Sequence, residues 1–308
     1  MRPFRFMTSL PGLGDVSTWR DRVRRIEDLG FDTVAISDHL TGGWSMDPVV
    51  AMTVAAEATT RLRVATVVLA NPLRHPVLVH RALANLDVFS GGRVEIGIGA
   101  GWQRADHDAV GIELDPPGAR LERLEESLGI LLALFRGERI EHQGKYYRAS
   151  GVDGVPAPVQ RSHPPLLVGG GGQRVLTLAG RLADIAGITL QQSTDGALER
   201  HGQEQTADRL AQKVGWVRAG ARAAGRDPDE IELQLSMVRI RVTVGGATHE
   251  WRSSLGAGET PAFATLDGDV DHCVDTLLRL REEHGVSYVH LGNNLDAAGP
   301  IVAALSGR

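Results

Sequence analysis

"RLRVATVVLANPLRHPVLVHRALANLDVFSGGRVEIGIGAGW" runs from Arg61 to Trp102. Its first part, Arg63–Ala70, is apolar and β-branched, as a buried strand requires. Pro76 opens a helical stretch that continues to Phe89, since proline suits a first helical turn. "SGGR", Ser90 to Arg93, closes that stretch with the glycines favoured after a helix. Arg93–Gly99 is then a second apolar strand. Strand, helix and strand in this order make a βαβ unit, which implies a parallel sheet.

The same alternation extends in both directions. Strand-like segments are Phe4–Thr8, Thr33–Ser37, Pro165–Gly169, Ile185–Thr189, Glu232–Val244 and Ser287–Leu291, in addition to the two above. Helical segments are Thr18–Leu29, Pro48–Thr59, Ala119–Phe135, Gln173–Ala183, Glu204–Ala224, Val270–Glu283 and Ala297–Leu305, in addition to Pro76–Phe89. Eight of each in 308 residues favours a closed (β/α)₈ TIM barrel over an open doubly wound sheet. We expect one barrel domain over residues 1–308. Two stretches exceed a minimal barrel. Arg139–Pro164 reads as a β-hairpin insertion after the fourth strand, turning at Gln143–Gly144. Gly245–Gly268 has little periodicity and reads as a loop insertion near the seventh strand.

A chain that is 42% hydrophobic and 23% charged is ordinary for a globular enzyme. Its net charge of -5 argues against nucleic-acid and anionic-membrane partners. Nothing approaches the roughly 20 apolar residues of a membrane span, and the opening "MRPFRFMTSLPGLG" has no apolar stretch of the length a signal peptide is expected to have. The lone cysteine, Cys273, rules out an internal disulfide and a cysteine-based zinc site. A cytoplasmic location is expected. HExxH and His-x-His spacings are absent, so no metal is expected.

Barrels do chemistry at the C-terminal ends of their strands. Three segments stand there. "GGGG", Gly169 to Gly172, joins a strand to a helix beginning with Gln173 and Arg174, a candidate anion cradle. The alternative is a tight turn that needs positive φ. "GIGAGW", Gly97 to Trp102, alternates Gly97, Gly99 and Gly101, which leaves one strand face bare for a flat ligand or for a bulky neighbour. Asp38 and His39 end the second strand, an ionisable pair suited to acid–base work.

These segments together resemble the bacterial luciferase-like superfamily. The resemblance rests on "RVRRIEDLGFDTVAISDHL" (Arg22 to Leu40), "LDVFSGGRVEIGIGAGW" (Leu86 to Trp102), "PPGARLERLEESLGILLALF" (Pro116 to Phe135) and "PVQRSHPPLLVGGGGQRVL" (Pro158 to Leu176). Within it, the chain looks most similar to the oxidoreductases that use coenzyme F420. The resemblance implies a barrel, usually a homodimer, with the deazaflavin ring in the mouth. It implies that Thr66, Val67, Val68, Ala70 and Asn71 back the ring, with a non-prolyl cis bond near Val67–Val68. Gly99, Ala100, Gly101 and Trp102 would flank it, and Gly169, Gly170, Gly171, Gly172, Gln173 and Arg174 would hold its phosphate tail. His39 would handle the substrate proton, with Asp38 supporting it. Some members carry a glutamate where this chain has Trp102, which speaks against a sugar-phosphate substrate. The implied reaction is hydride transfer with an alcohol, C=C or C=N compound. One alternative is an FMN-dependent monooxygenase supplied by a separate cofactor reductase. Another is a barrel that binds a flavin-like or phosphorylated ligand without catalysis. Substrate choice is expected to rest on Leu10–Gly14, Gly42–Met46, Gln191–Gln192 and the 245–268 loop.

Overall fold

A computed structural model of the chain describes residues 1–10, 12–44, 46–190, 206–253 and 262–308. Gln191 and Gln192 lie outside the described residues, as do Pro11, Ser45, the first two residues of the expected 204–224 helix and the 254–261 part of the late insertion.

The strands are β1 (Arg5–Ser9), β2 (Thr33–Ile36), β3 (Arg63–Thr66), β4 (Leu69–Ala70), β5 (Val94–Gly99), β6 (Arg139–Gln143), β7 (Arg148–Asp153), β8 (Leu166–Gly170), β9 (Ile185–Ile188), β10 (Glu232–Ser236), β11 (Arg239–Val244), β12 (Ala247–Arg252), β13 (Thr265–Asp269) and β14 (Val286–His290). The helices are α1 (Val16–Asp28), α2 (Pro48–Ala58), α3 (Pro76–Ser90), α4 (Arg104–Val110), α5 (Pro117–Phe135), α6 (Gln173–Leu182), α7 (Ala207–Ala223), α8 (Val270–His284) and α9 (Leu295–Leu305).

Parallel pairing runs β3-β2-β1-β14-β10-β9-β8-β5, and β5 returns to both β3 and β4. The sheet is therefore closed. Counting β3 and β4 as one interrupted strand, it has eight staves, the expected (β/α)₈ barrel. Helix ends follow local chemistry. Asp47 caps α2 by accepting from the Val49 and Val50 N–H groups ahead of Pro48, and Gly91 ends α3 at φ 67°, where a side chain is costly.

Alternate residues of each strand point into the barrel, and they form layers. The lowest is ionic. Glu95, buried, is bonded by Arg5, by Arg63 Nε at 2.6 Å and by the Tyr288 hydroxyl at 2.8 Å. Arg5 also reaches Glu232 at 2.7 Å. Above it lies an apolar layer of Met7, Ala35, Ala65, Leu167, Ile185 and Tyr288. The next inward positions, among them Ser9, Ser37, Gly99, Gly169, Ser236 and His290, open into the mouth.

The expected hairpin insertion is present as β6 and β7. Two expectations need correction. Arg63–Ala70 is not one continuous strand but breaks at Val67–Val68, a non-prolyl cis bond. Glu232–Val244 is also two strands. β10 stays in the barrel, whereas β11 leaves it to pair antiparallel with β12 and parallel with β13. The supposed loop after Val244 thus begins as a tight hairpin. Gly245 and Gly246 both have positive φ between the paired residues Val244 and Ala247, the geometry of a two-residue primed turn.

Burial would raise the Glu95 pKa, but Arg5 and Arg63 outweigh it and hold the carboxyl below its ordinary 4.5. Its contribution to stability is therefore complete at neutral pH and is lost as pH falls through the lowered folded value. Glu95→Gln should cost about 3–5 kcal/mol at neutral pH, because it leaves two inward guanidinium groups undercompensated. Denaturant unfolding across the acid range should show the gap to the parent closing below pH 4.5. A gap constant through that range would mean that the charge plays no part.

Candidate active site

The mouth encloses a cavity of about 700 Å³. Its floor is made where β3 breaks. A Cβ on Gly97 would run into the Thr66 carbonyl, and one on Gly99 would stand 2.7 Å from Val68 Cγ2. Gly169, across the floor on β8, would bring a Cβ 3.3 Å from Val68 Cγ1. The bare face of "GIGAGW" is thus filled by the β3–β4 crossing, and the flat surface offered to a ligand is Val67–Val68 itself. The Ser37 hydroxyl donates to the Val67 carbonyl at 3.2 Å and holds it in place.

Asp38 and His39 do not bond one another. Adjacent residues on an extended segment point apart. Asp38 is buried and turns outward. It accepts from Arg74 Nε at 3.2 Å and Nη2 at 2.9 Å, and from the Ala70 N–H at 3.2 Å. This pairing raises the Arg74 pKa against the opposing effect of burial. Asp38 therefore secures the backbone behind Val68. This corrects the expectation of an Asp38–His39 couple. The partner of His39 is Asp106, on α4, with Nδ1 2.7 Å from Oδ2.

The other oxygen of Asp106 accepts from the N–H groups of Leu40 and Thr41 at 3.0 and 2.9 Å and from the Thr41 hydroxyl at 2.6 Å. Burial would raise its pKa, but the bonds from Thr41, His39 and Leu40 prevail and hold it below the ordinary carboxylate value. A carboxylate can only accept, so the Nδ1 proton of His39 is fixed and Nε2 is left for the cavity. Trp44 and Trp102 flank the imidazole, with ring centroids at 5.4 and 5.9 Å.

At the opposite end, Gly169, Gly170, Gly171 and Gly172 lead into α6. None of the four has positive φ, so the turn does not require glycine for its dihedral angles. Close approach explains Gly170, where a Cβ would strike Val175. A Cβ on Gly172, the α6 N-cap, would meet nothing within 4 Å, so the backbone there is open. Lys213 Nζ donates to the Gly171 and Thr189 carbonyls at 2.9 and 2.8 Å, tying the loop to the end of β9.

Two arginines line this end, Arg174 and Arg120. Arg120 bonds the Gly101 carbonyl and has a buried Nε without a partner. His107 is buried beside Gly101 with both ring nitrogens unpartnered. Among the described residues no group of three or more His, Cys, Asp or Glu could hold a metal ion.

Of the sequence-derived residues, Asp38, His39, Val67, Val68, Ala70, Gly99–Trp102, Gly169–Gly172 and Arg174 all line the cavity. Thr66, Asn71 and Gln173 do not. The Thr66 hydroxyl is spent on Gly97 backbone groups at 2.6 and 3.0 Å. Asn71 is buried against the Tyr147 hydroxyl at 3.1 Å, and Gln173 is exposed at the start of α6. Sequence reasoning missed Asp106, Arg74, Arg120, His107, Gln234 and the Ser9–His290 pair. Ser9, Gln234 and His290 carried a usable signal, since each lies on the inward register of its strand. Asp106 and Arg74 carried none, because they meet their partners only through the tertiary fold.

The profile of one family, described as luciferase-like monooxygenase, matches residues 3–253. An F420-dependent glucose-6-phosphate dehydrogenase of Mycolicibacterium gilvum is 30% identical over 225 residues, 70% of this chain and 62% of that protein. The chain thus spans less than two thirds of that relative's length. The solved structure of an F420-dependent secondary alcohol dehydrogenase bound to an F420–acetone adduct superimposes with a TM-score of 0.79 at 18% identity, over 100% of both chains. That of the coenzyme F420-dependent tetrahydromethanopterin reductase of Methanopyrus kandleri gives 0.77 at 20% identity, over 98% of each.

Asp106→Asn preserves an acceptor for Leu40 and Thr41 while turning an N–H toward His39. The imidazole must then carry its proton on Nε2 rather than Nδ1. NMR of the ring nitrogens should show that tautomer exchange at neutral pH. An unchanged tautomer would mean that Asp106 does not set the orientation of the His39 proton.

Proposed function

This chain belongs to the luciferase-like monooxygenase family, and within it we propose a coenzyme F420-dependent oxidoreductase that moves hydride between the deazaflavin and a small organic substrate. The observation that carries the reading is the shape of one side of the mouth. A flat apolar step at Val67–Val68, backed by Gly99 and Gly169, leads to the open backbone at Gly172 and to Arg120 and Arg174. That sequence of surfaces suits a planar ring with an anionic tail. The unpartnered Nε of Arg120 and the bare Gly172 N-cap are what a phosphate needs. The relatives reported above, named for dependence on F420, support the choice.

When bound, the deazaflavin supplies hydride chemistry at carbon. The chain's own residues handle position and the proton. His39, with Nδ1 committed to Asp106, offers Nε2 to the substrate. In alcohol oxidation Nε2 takes the hydroxyl proton as the carbinol carbon loses hydride, and in reduction it returns that proton. Trp44 and Trp102 flank the imidazole. An ionised, deeply bonded carboxylate orienting a histidine is hard to reconcile with a passive binding protein. A homodimer is supported by an apolar face on α3, where Leu78 and Phe89, three helical turns apart, are 65% and 73% exposed. The single cysteine, Cys273, is buried and free, which fits a cytoplasmic location.

Titration of the purified protein with F420 and with FMN should show binding of F420. Binding of FMN alone would assign the chain to the reduced-flavin monooxygenases, with a partner reductase. His39→Ala should lower turnover by about 10²- to 10⁴-fold, the usual worth of a proton-transfer group, and leave the F420 Kd unchanged. Near-full turnover in that variant would remove His39 from the chemistry.

A further inference from the structure

The barrel order divides the mouth into two arcs. β3, β4, β5 and β8 supply the flat step, the glycines and, through the helices that follow, Arg120 and Arg174. Beyond β9, the opposing arc is β10, β14, β1 and the end of β2, four neighbouring staves. At the mouth its inward side chains are Ser9, Ser37, Gln234, Ser236 and His290, with no acid or guanidinium among them. Ser9 Oγ and His290 Nε2 are 2.7 Å apart, and Gln234 Nε2 donates to Ser236 Oγ at 3.1 Å. Burial holds His290 neutral, its pKa pushed down to about 4.

A roof covers this pair. Trp251, on β12, packs its ring directly over the backbone of Gly292, where a Cβ would collide with it. It meets His290 edge-on, with centroids 6.5 Å apart. The Asn294 amide donates to the Glu250 carbonyl at 3.1 Å and fastens that strand to the end of β14. The nearest guanidinium on this side is engaged, on an acid that Arg239 shares at 3.1 Å. Arg252, which lines the cavity, is held by Glu250 at 2.7 Å, and His39 is held by Asp106.

We propose that the substrate is an uncharged molecule whose carbonyl or hydroxyl oxygen is held by the Ser9–His290 pair, and that this arc rejects phosphorylated and carboxylated compounds. The proposal rests on the functional reading above, which gives the other arc to the cofactor. An anion seated between Ser9, His290 and Trp251 would lose its water against a hydroxyl, an imidazole and an indole, with no cation among the groups that hold it, a cost no neutral group bears. A neutral hydroxyl or carbonyl instead finds a serine and an imidazole that can each donate or accept, beneath an aromatic roof. The chain would then differ in substrate from the glucose-6-phosphate dehydrogenases it matches in sequence. Ser9 and His290 are positioning residues in this scheme, and the proton step stays with His39.

The test uses the full chain loaded with oxidised F420, with cyclohexanol as the neutral probe and glucose 6-phosphate and lactate as anionic probes. Binding is read by thermal shift and turnover by cofactor absorbance. Cyclohexanol should bind at least about 100-fold more tightly than either anion, the scale set by desolvating an unpaired charge. Ser9→Ala and His290→Phe should each raise the KM for cyclohexanol by about 10-fold, the worth of one hydrogen bond, while kcat falls by no more than about 3-fold. His290→Gln, which keeps a donor and an acceptor, should recover most of that loss, and the F420 Kd should not move in any of them.

Glucose 6-phosphate or lactate binding as tightly as cyclohexanol, no probe binding at all, or an unchanged KM in both Ser9→Ala and His290→Phe would each overturn the proposal. Failure to bind F420 overturns the functional reading and this inference together. Binding of F420 with preference for an anion overturns this inference alone.

Discussion

Thr66 to Val68 cross the face of β5 so closely that no side chain fits on Gly97 or Gly99, and the rest of the site is arranged around that contact. It fixes the height of the cavity floor. It places a valine step in the mouth instead of a column of β5 side chains. It also explains the fastenings on either side. Ser37 holds the Val67 carbonyl from β2, and Asp38 holds the Ala70 N–H and Arg74 just beyond the break. A close backbone approach of this kind is a geometric demand on glycine, distinct from a demand for positive φ. Gly97 and Gly99 meet it in extended conformation.

The layering below explains how such an irregular top is tolerated. A barrel interior must be filled, and this one is closed at its base by the Glu95 cluster and then by an apolar layer. The ionic layer joins β1, β3, β5, β10 and β14, strands far apart in sequence, so it fixes their relative register before the chain reaches the mouth. With the lower barrel set, the upper inward positions are free to be serine, glycine, glutamine or histidine without loss of core. That is the physical basis for a site built from weakly hydrophobic strand ends.

This division also explains what could be read in advance. Strand and helix alternation is local, so the barrel was legible from Arg61–Trp102 and the like segments around it, and the β6–β7 hairpin from the turn at Gln143–Gly144. The β11–β12 hairpin was read as loop although "VGGA" is a primed-turn signature, because the residues after it carry too few large apolar side chains to read as strand. Inward register was available from the period of two: counting from Arg5 leads to Ser9, and from Glu232 to Ser236. Asp106 was not available, because nothing in "RADHD" indicates that its carboxylate reaches His39, Leu40 and Thr41 just after β2.

Asp38 and His39, adjacent in sequence, serve opposite surfaces. The extended backbone turns one carboxylate back into the wall and one imidazole forward into the cavity, so a couple suggested by adjacency becomes two separate pairs, Asp38–Arg74 and His39–Asp106. Each acid is matched to a base from another segment, and both are shielded from water. Asp38 is paired with Arg74, which also reaches Asp47 at 3.0 Å, where it supports the floor, and the charge of Asp106 is spread over five donors, Gln103 Nε2 at 3.3 Å among them, where it orients the histidine. Neither carboxylate is left without donors. Arg120 and Arg174 stand at one end of the cavity and the neutral hydrogen-bonding groups of Ser9, Gln234, Ser236 and His290 at the other. An anionic tail is drawn to the first end, and a neutral group is accommodated at the second.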